Sequence, residues 1–170
     1  MELVEFGPLS ARDWEILLDG EEDPFPAFGL EFEWLEKDRH VGLRDEARLV
    51  AVGGASVVDV EVDGAGAFEV VGVGSVVVTH SRRGEGLMPG VFDALLELAA
   101  GMGPEQAMLF CRPDLESLYA RWGFAVIDAQ VFADQPDGRV EMPQTAMWLP
   151  LRDGVSGWPP GRVDVRGLPF

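Results

Sequence analysis

The sequence predicts a single α/β domain of the α+β kind, a mixed and mostly antiparallel sheet with helices on both faces. Three observations predict it. Segments with the two-residue apolar period of strands alternate along the chain with segments of helical period. The 170 residues, 47% of them hydrophobic, suffice for one full core and are too few for two comfortable ones. Residues 71–97 read in sequence as strand, Gly-rich basic turn and helix.

The elements follow from local patterns. Residues 3–6 form a first strand, and Ser10 caps a helix running to Leu18 with Trp14, Leu17 and Leu18 on one side. Residues 19–29 are acidic and hold Pro24 and Pro26, which makes them a loop. Residues 30–36 add a short helix carrying Phe32, Trp34 and Leu35. Strands come next at 40–44 and 49–62; in the second, Val58, Val60 and Val62 alternate with Asp59 and Glu61. Asp63-Gly64-Ala65-Gly66 turns the chain into a hairpin whose return strand spans 68–79. Within it Val76, Val77, Val78 and Thr79 are β-branched, while Gly72 and Gly74 leave room on one face.

The helix at 86–100 has Val91, Leu95 and Leu98 on one stripe, Phe92, Leu96 and Ala99 beside it, and Pro89 in its first turn. After it come a buried strand at 107–111, a helix at 114–122 opened by Pro113, and a strand at 124–132. Residues 130–143 form a polar excursion, and 145–151 a last strand. The tail is Gly- and Pro-rich but carries Trp158, Leu168 and Phe170, so the expected division is a domain over 1–151 and an arm, 152–170, packed on it.

Composition excludes several function classes. Thirty acidic against thirteen basic residues give a net charge of −17, which opposes nucleic acid and anionic membrane as partners and favours cationic ligands. His40, His80 and the single Cys111 share no ligand spacing, so no metal is expected, and Cys111 reads as a small buried hydrophobe. No apolar run is long enough to span a bilayer, and Met1-Glu2-Leu3-Val4-Glu5 lacks the basic-then-apolar order of a signal peptide. The expected location is cytoplasmic. Lys37 as the lone lysine, the absence of Asn and the abundance of Arg, Ala, Gly and Val fit a bacterial source of high G+C content. A homodimer is compatible with the sequence.

The turn at 82–86, Arg-Arg-Gly-Glu-Gly, brings two guanidinium groups and two residues free to take positive φ to the start of a helix. Backbone N–H groups and the positive end of the helix dipole converge there on an anion such as phosphate. Neither the Gly-Lys-Ser/Thr of phosphate-loop enzymes nor a complete dinucleotide fingerprint is present.

Arg83-Gly84-Glu85-Gly86-Leu87-Met88 resembles the pyrophosphate signature of the GNAT acyltransferases, Arg/Gln-x-x-Gly-x-Gly/Ala, with Met88 standing where Gly or Ala is usual. Leu118-Tyr119-Ala120-Arg121-Trp122-Gly123-Phe124 resembles the same family's later Tyr and Gly-Phe element. The resemblance implies a single-domain GNAT fold and transfer of the acetyl group of acetyl-CoA to a primary amine of a small, cationic molecule. It implies that backbone of Val76 and Val78 holds the pantetheine arm, and that Arg82, Arg83, Gly84, Glu85, Gly86, Leu87 and Met88 surround the pyrophosphate. Tyr119, the chain's one tyrosine, takes the position of the general acid beside the sulfur.

The chain is distantly similar to the aminoglycoside 2′-N-acetyltransferases at Ala27-Phe28, Trp34, Arg83-Gly84 and 118–124. Those enzymes carry a strand carboxylate as base at the position of Gly74. Substitutes for it are Glu31 or Glu33, Asp59 or Glu61, or the carboxylate of Phe170 if the arm folds over the site; Glu31, Glu33 and Phe170 are the expected substrate contacts. Two alternatives stand beside this reading: a GNAT-shaped CoA- or ligand-binding module with weak or no turnover, and an acetyltransferase acting on protein N-termini or lysines.

Overall fold

The hairpin turning at Gly64 is the spine of the molecule. The computed structural model describes residues 1–22 and 31–170. In it the hairpin strands, β3 (Arg48–Val62) and β4 (Gly66–Val78), pair antiparallel from Val62↔Gly66 to Ala51↔Val78. Gly64 and Gly66 take φ of +80° and +84°, values that a tight turn demands and glycine supplies without strain. Because β3 is 15 residues long, its other edge serves two partners: its first half pairs with β2 (Arg39–Asp45) and its end with β10 (Val163–Val165).

The remaining elements are β1 (Glu2–Phe6), α1 (Ala11–Leu18), α2 (Leu87–Ala100), β5 (Gln106–Cys111), α3 (Glu116–Tyr119), β6 (Ala125–Val126), β7 (Val131–Gln135), β8 (Gly138–Glu141) and β9 (Thr145–Pro150). One sheet holds the described strands in the order β6-β9-β5-β4-β3-β10-β7-β8, with β2 on β3 and β1 outside β2. The pairs β4–β5 and β7–β10 are parallel and the others antiparallel, so the sheet is mixed and mostly antiparallel.

Each helix lies where its apolar stripe requires. Val91, Phe92, Leu95 and Leu98 of α2 are buried on one face of the sheet against Ala51, Ala55, Val71 and Val73. On the other face Leu17 of α1 packs on Leu49, Val52 and Val77. Ser10 and Asp13 cap α1 reciprocally, each side chain taking the other's backbone N–H.

Three local expectations are corrected. Among the described residues of the segment expected as a helix at 30–36, residues 31–36 are irregular. Their backbone is used elsewhere: Leu35 N–H donates to the Pro169 carbonyl at 2.7 Å, and Glu33 exchanges hydrogen bonds with the Gln135 side chain. The helix at 114–122 is a single α turn, α3, flanked by 3₁₀ turns and stopped by Gly123 at φ +92°. The strand at 124–132 divides into β6 and β7, and the polar excursion after it is the β7–β8 hairpin. Here the chain leaves the edge of β9 after Ile127, and Gln130 offers its carbonyl to the N–H of Val163, which brings the chain to the edge of β10.

The tail enters the sheet. β10 lies between β3 and β7, Trp158 packs edge-on to Phe68 with centroids 5.6 Å apart, and Phe170 is 3% exposed. No described helix is long and apolar enough to cross a membrane.

Candidate active site

The turn expected to bind an anion follows directly from β4. Gly84 and Gly86 adopt φ of +84° and +75°, and a Cβ built on either meets nothing within 4 Å, so the turn is open to a ligand. Gly86 caps α2 without any side-chain hydrogen bond, which leaves first-turn N–H groups without a side-chain acceptor. The arginines are engaged. Arg82 Nε donates to both oxygens of Glu85 at 2.7 and 2.8 Å, and its Nη1 to Asp45 at 2.8 Å. Arg83 pairs with Glu21 and donates from Nε to the carbonyl of Val78 at 3.1 Å. The Arg83 guanidinium holds the Glu21 carboxyl below its usual range.

β4 changes character before it reaches that turn. Its ladder with β3 shifts register between Val52 and Gly54, where Ser75 takes φ +51°. Its parallel ladder with β5 comprises Val71↔Ala107 and Gly72↔Met108, after which the two strands continue apart. A cavity of about 510 Å³ lies at this parting and includes Gly74, Ser75, Val76, Leu109, Cys111 and Tyr119 in its wall. That volume is the size of small-molecule sites generally. Trp14 and Leu18 of α1, Trp34, Leu35, Phe110 and Phe170 make the wall mainly apolar.

Tyr119 is held by aromatic packing, its ring centroid 5.3 Å from Phe92 and 6.3 Å from Phe124. Burial, aided by nearby Cys111, pushes its hydroxyl up to about 12. Cys111 is itself pushed up to about 11, mainly by burial, and its Sγ lies 3.7 Å from the sulfur of Met147. A thiol held protonated this way is a poor nucleophile.

The sheet floor beneath the cavity is made of glycines, of which Gly74 reaches the cavity wall itself. Gly54 and Gly74 are cross-strand partners, and Gly72 shares their face. A Cβ on Gly72 would fall 2.5 Å from the Phe170 ring, and one on Gly54 would fall 2.6 Å from Cγ of Lys37. The room left by the bare positions is therefore taken by two side chains distant in sequence. Lys37, 3% exposed, donates to the Leu35 carbonyl at 3.3 Å, and its Nζ is 5.9 Å from the centroid of the Phe170 ring. Burial pushes its ammonium down to about 8, against the opposing effect of Asp38. His40 stands beside it, stacked on Phe6 with Nδ1 2.8 Å from the Gly7 carbonyl; burial holds its ring below the ordinary value.

Of the residues singled out from sequence, Val76, Tyr119 and Phe170 meet at the cavity, while residues 82–88 lie farther along the same chain path. Leu87 is buried in the core and Met88 packs against it. Glu31 and Glu33 do not line the cavity; their segment reaches it through Trp34, Leu35, Glu36 and Lys37. Glu61 pairs with Arg166 on the far half of β3. Ala27 and Phe28 lie outside the described residues. Sequence reasoning missed Lys37 and His40. The signal for the first was its being the only lysine in the chain; no local pattern marked the second.

Comparison with known proteins gives the same architecture. The chain is similar to the Escherichia coli GNAT family N-acetyltransferase YhbS, solved with CoA, at 19% identity and a TM-score of 0.58 over 99% of this chain and 94% of that one. It is similar to Escherichia coli ElaA at 20% identity and a TM-score of 0.56, covering 86% and 97% of the two chains. It is also similar to an acyl-CoA N-acyltransferase from Pseudomonas aeruginosa at 19% identity and a TM-score of 0.55, again covering 86% and 97%. No curated protein matches it. The family model of the acetyltransferase (GNAT) domain matches residues 22–127, more than half of the sequence and a stretch that includes β4, the turn and Tyr119. The chain belongs to the GNAT acetyltransferase family.

Proposed function

We propose that the protein is an N-acetyltransferase that moves the acetyl group of acetyl-CoA to the primary amine of a small molecule. The observation that carries this is the continuity of β4, which joins a cavity walled by Tyr119 to an open, uncapped helix N-terminus. The glycines of the turn leave space for a pyrophosphate, and the parting of β4 from β5 leaves backbone of Val76 without a ladder partner on that side. Bound there, acetyl-CoA would supply a thioester carbonyl and a thiolate leaving group.

The residues around it have distinct tasks. Amides of 84–88 and the α2 dipole hold negative charge. Tyr119, like any tyrosine, is protonated at neutral pH, and its hydroxyl gives that proton to the departing sulfur. The apolar wall excludes water, which strengthens every polar interaction inside. An acceptor with one ammonium on an apolar body suits both the wall and the net charge of −17: the charge draws it in and Trp14, Trp34 and Phe110 hold the remainder.

The test is thiol release with a panel of amines, comparing apolar monoamines, polyamines and aminoglycosides. Tyr119→Phe should lower kcat by about 100-fold with unchanged Kd for acetyl-CoA. Unchanged kcat would assign the ring to packing on Phe92. A second reading, a CoA-binding module without turnover, is favoured by one observation: Gly74 stands where the aminoglycoside 2′-N-acetyltransferases that the chain resembles carry their strand carboxylate, so no side-chain base is supplied at that place. Tight acetyl-CoA binding without thiol release from any amine would select it.

A further inference from the structure

A buried ammonium needs an explanation. Lysine is rarely enclosed unless its charge is partnered, and the side chain carries three donors. Among the described residues Lys37 uses one of them, in a long bond to the Leu35 carbonyl, and the centroid of the Phe170 ring is 5.9 Å from its Nζ. The stem has a packing role, filling the groove above Gly54 that any larger residue would close. A methionine would fill that groove equally well. The amine is what packing leaves unexplained.

Its position suggests an answer. A Cβ on Gly74 would lie 3.6 Å from both Cε and Nζ of Lys37, so the amine stands over the residue at which β4 begins to part from β5. Lys37 and Tyr119 line the same cavity. Glu36, Asp38 and His40 are titratable groups near the amine, and the main-chain carboxyl carbon of Phe170 lies 3.4 Å from that same Cβ on Gly74; Asp38 favours the charge of the amine, and burial opposes it more strongly. An amine driven toward its neutral form has a free lone pair and is a nucleophile.

We propose that Lys37 is itself an acetylation site of this protein, its Nζ accepting the acetyl group of an acetyl thioester bound in the cavity. The inference rests on the acetyltransferase reading above. In the step, the Nζ lone pair attacks the thioester carbonyl, the C–N bond of an amide forms, and the C–S bond breaks with its electron pair going to sulfur. Nζ loses one proton and the sulfur gains one, passed through the Tyr119 hydroxyl. No oxidant or further reactant enters. The product is an acetylated, uncharged Lys37 and free CoA thiol, and the added acetyl group occupies the cavity floor where an external amine would sit.

The experiment is mass spectrometry of the intact chain and of its peptides after incubation with acetyl-CoA alone. The expected result is one added acetyl group, mapped to Lys37, at a rate that saturates with acetyl-CoA concentration and falls at least tenfold in Tyr119→Phe. The guanidinium-unfolded chain under the same conditions should react at least tenfold more slowly, and Lys37→Arg and Lys37→Met should gain nothing at position 37. The wild-type peptide map decides the question even if one variant folds poorly. Calorimetry and thiol release separate the two readings. Acetyl-CoA binding and amine turnover with Lys37 unmodified would overturn this inference and leave the acetyltransferase reading standing. Acetylated Lys37 without turnover of any added amine would support it and overturn the small-molecule reading. Modification at equal rates in folded and unfolded chains would overturn it as solution chemistry, and neither binding nor modification would overturn both.

Discussion

The turn at 82–88 and the sheet floor beneath the cavity at Gly54, Gly72 and Gly74 are both shaped by glycine, and they use it in opposite ways. In the turn, Gly84 and Gly86 supply positive φ and face open space, so their neighbours in sequence define the feature. On the floor, the glycines supply absence: what fills the gap comes from Lys37 and Phe170, which the chain reaches from either side of the whole domain. The turn presents polar backbone and charged side chains, while the floor joins an apolar cavity with one enclosed amine. The turn proposed to hold an anion is thus written in one contiguous stretch, whereas the cavity proposed for the acceptor is an assembly whose parts are unrelated in sequence.

Phe92→Ala should have the largest effect, because this fully buried ring touches Tyr119, Trp122 and Phe124 and so ties α2 to the cavity wall. A stability loss of about 3–5 kcal/mol is expected by chemical denaturation, with Tyr119 losing its support. A loss below about 1 kcal/mol would mean that the two regions are mechanically independent.

Lys37→Met sharpens the contrast through pH. The folded ammonium loses its proton near 8, and the unfolded one near the ordinary lysine value of 10.5. Below pH 8 both states carry the charge and the burial penalty is complete. Between 8 and 10.5 the unfolded chain holds the extra proton, so wild-type stability rises with pH as the penalty is relieved. The variant should therefore be more stable than wild type below pH 8, by up to about 3 kcal/mol, with the gap closing by about pH 10.5. Parallel stability curves would show that the amine is solvated.

Gly72→Val tests whether the floor's space is spoken for. Its Cβ would overlap the Phe170 ring, so a loss of about 1–3 kcal/mol and a raised KM for the amine are expected, with the acetyl-CoA Kd unchanged. Equal KM would remove Phe170 from the acceptor site. Arg83→Glu acts on the other region and should be smallest, a tenfold or greater weakening of acetyl-CoA binding, about 1.4 kcal/mol, by calorimetry. Since Glu21 already holds Arg83, an unchanged Kd would place phosphate binding in the backbone of the turn.

The hairpin at 63–66 and the strand, turn and helix of 71–97 are legible in the sequence, because each rests on interactions among near neighbours: turn glycines, a period-3.6 stripe, β-branched runs. Local pattern misreads residues 31–36 and divides 124–143 wrongly, since there backbone groups are claimed by distant partners, Pro169 and Gln135 in the first case and Val163 in the second. Gly72 and Gly74 could be seen as bare positions on one face. Only the tertiary structure decided that Phe170 and Lys37 occupy the space above them, and that Glu31 and Glu33 stay outside the cavity while Trp34 and Lys37 enter it. The reason is physical: local propensity acts over a turn or two of chain, but the contents of a cavity depend on which remote segments the closed sheet brings to one face, and no short-range pattern encodes that meeting.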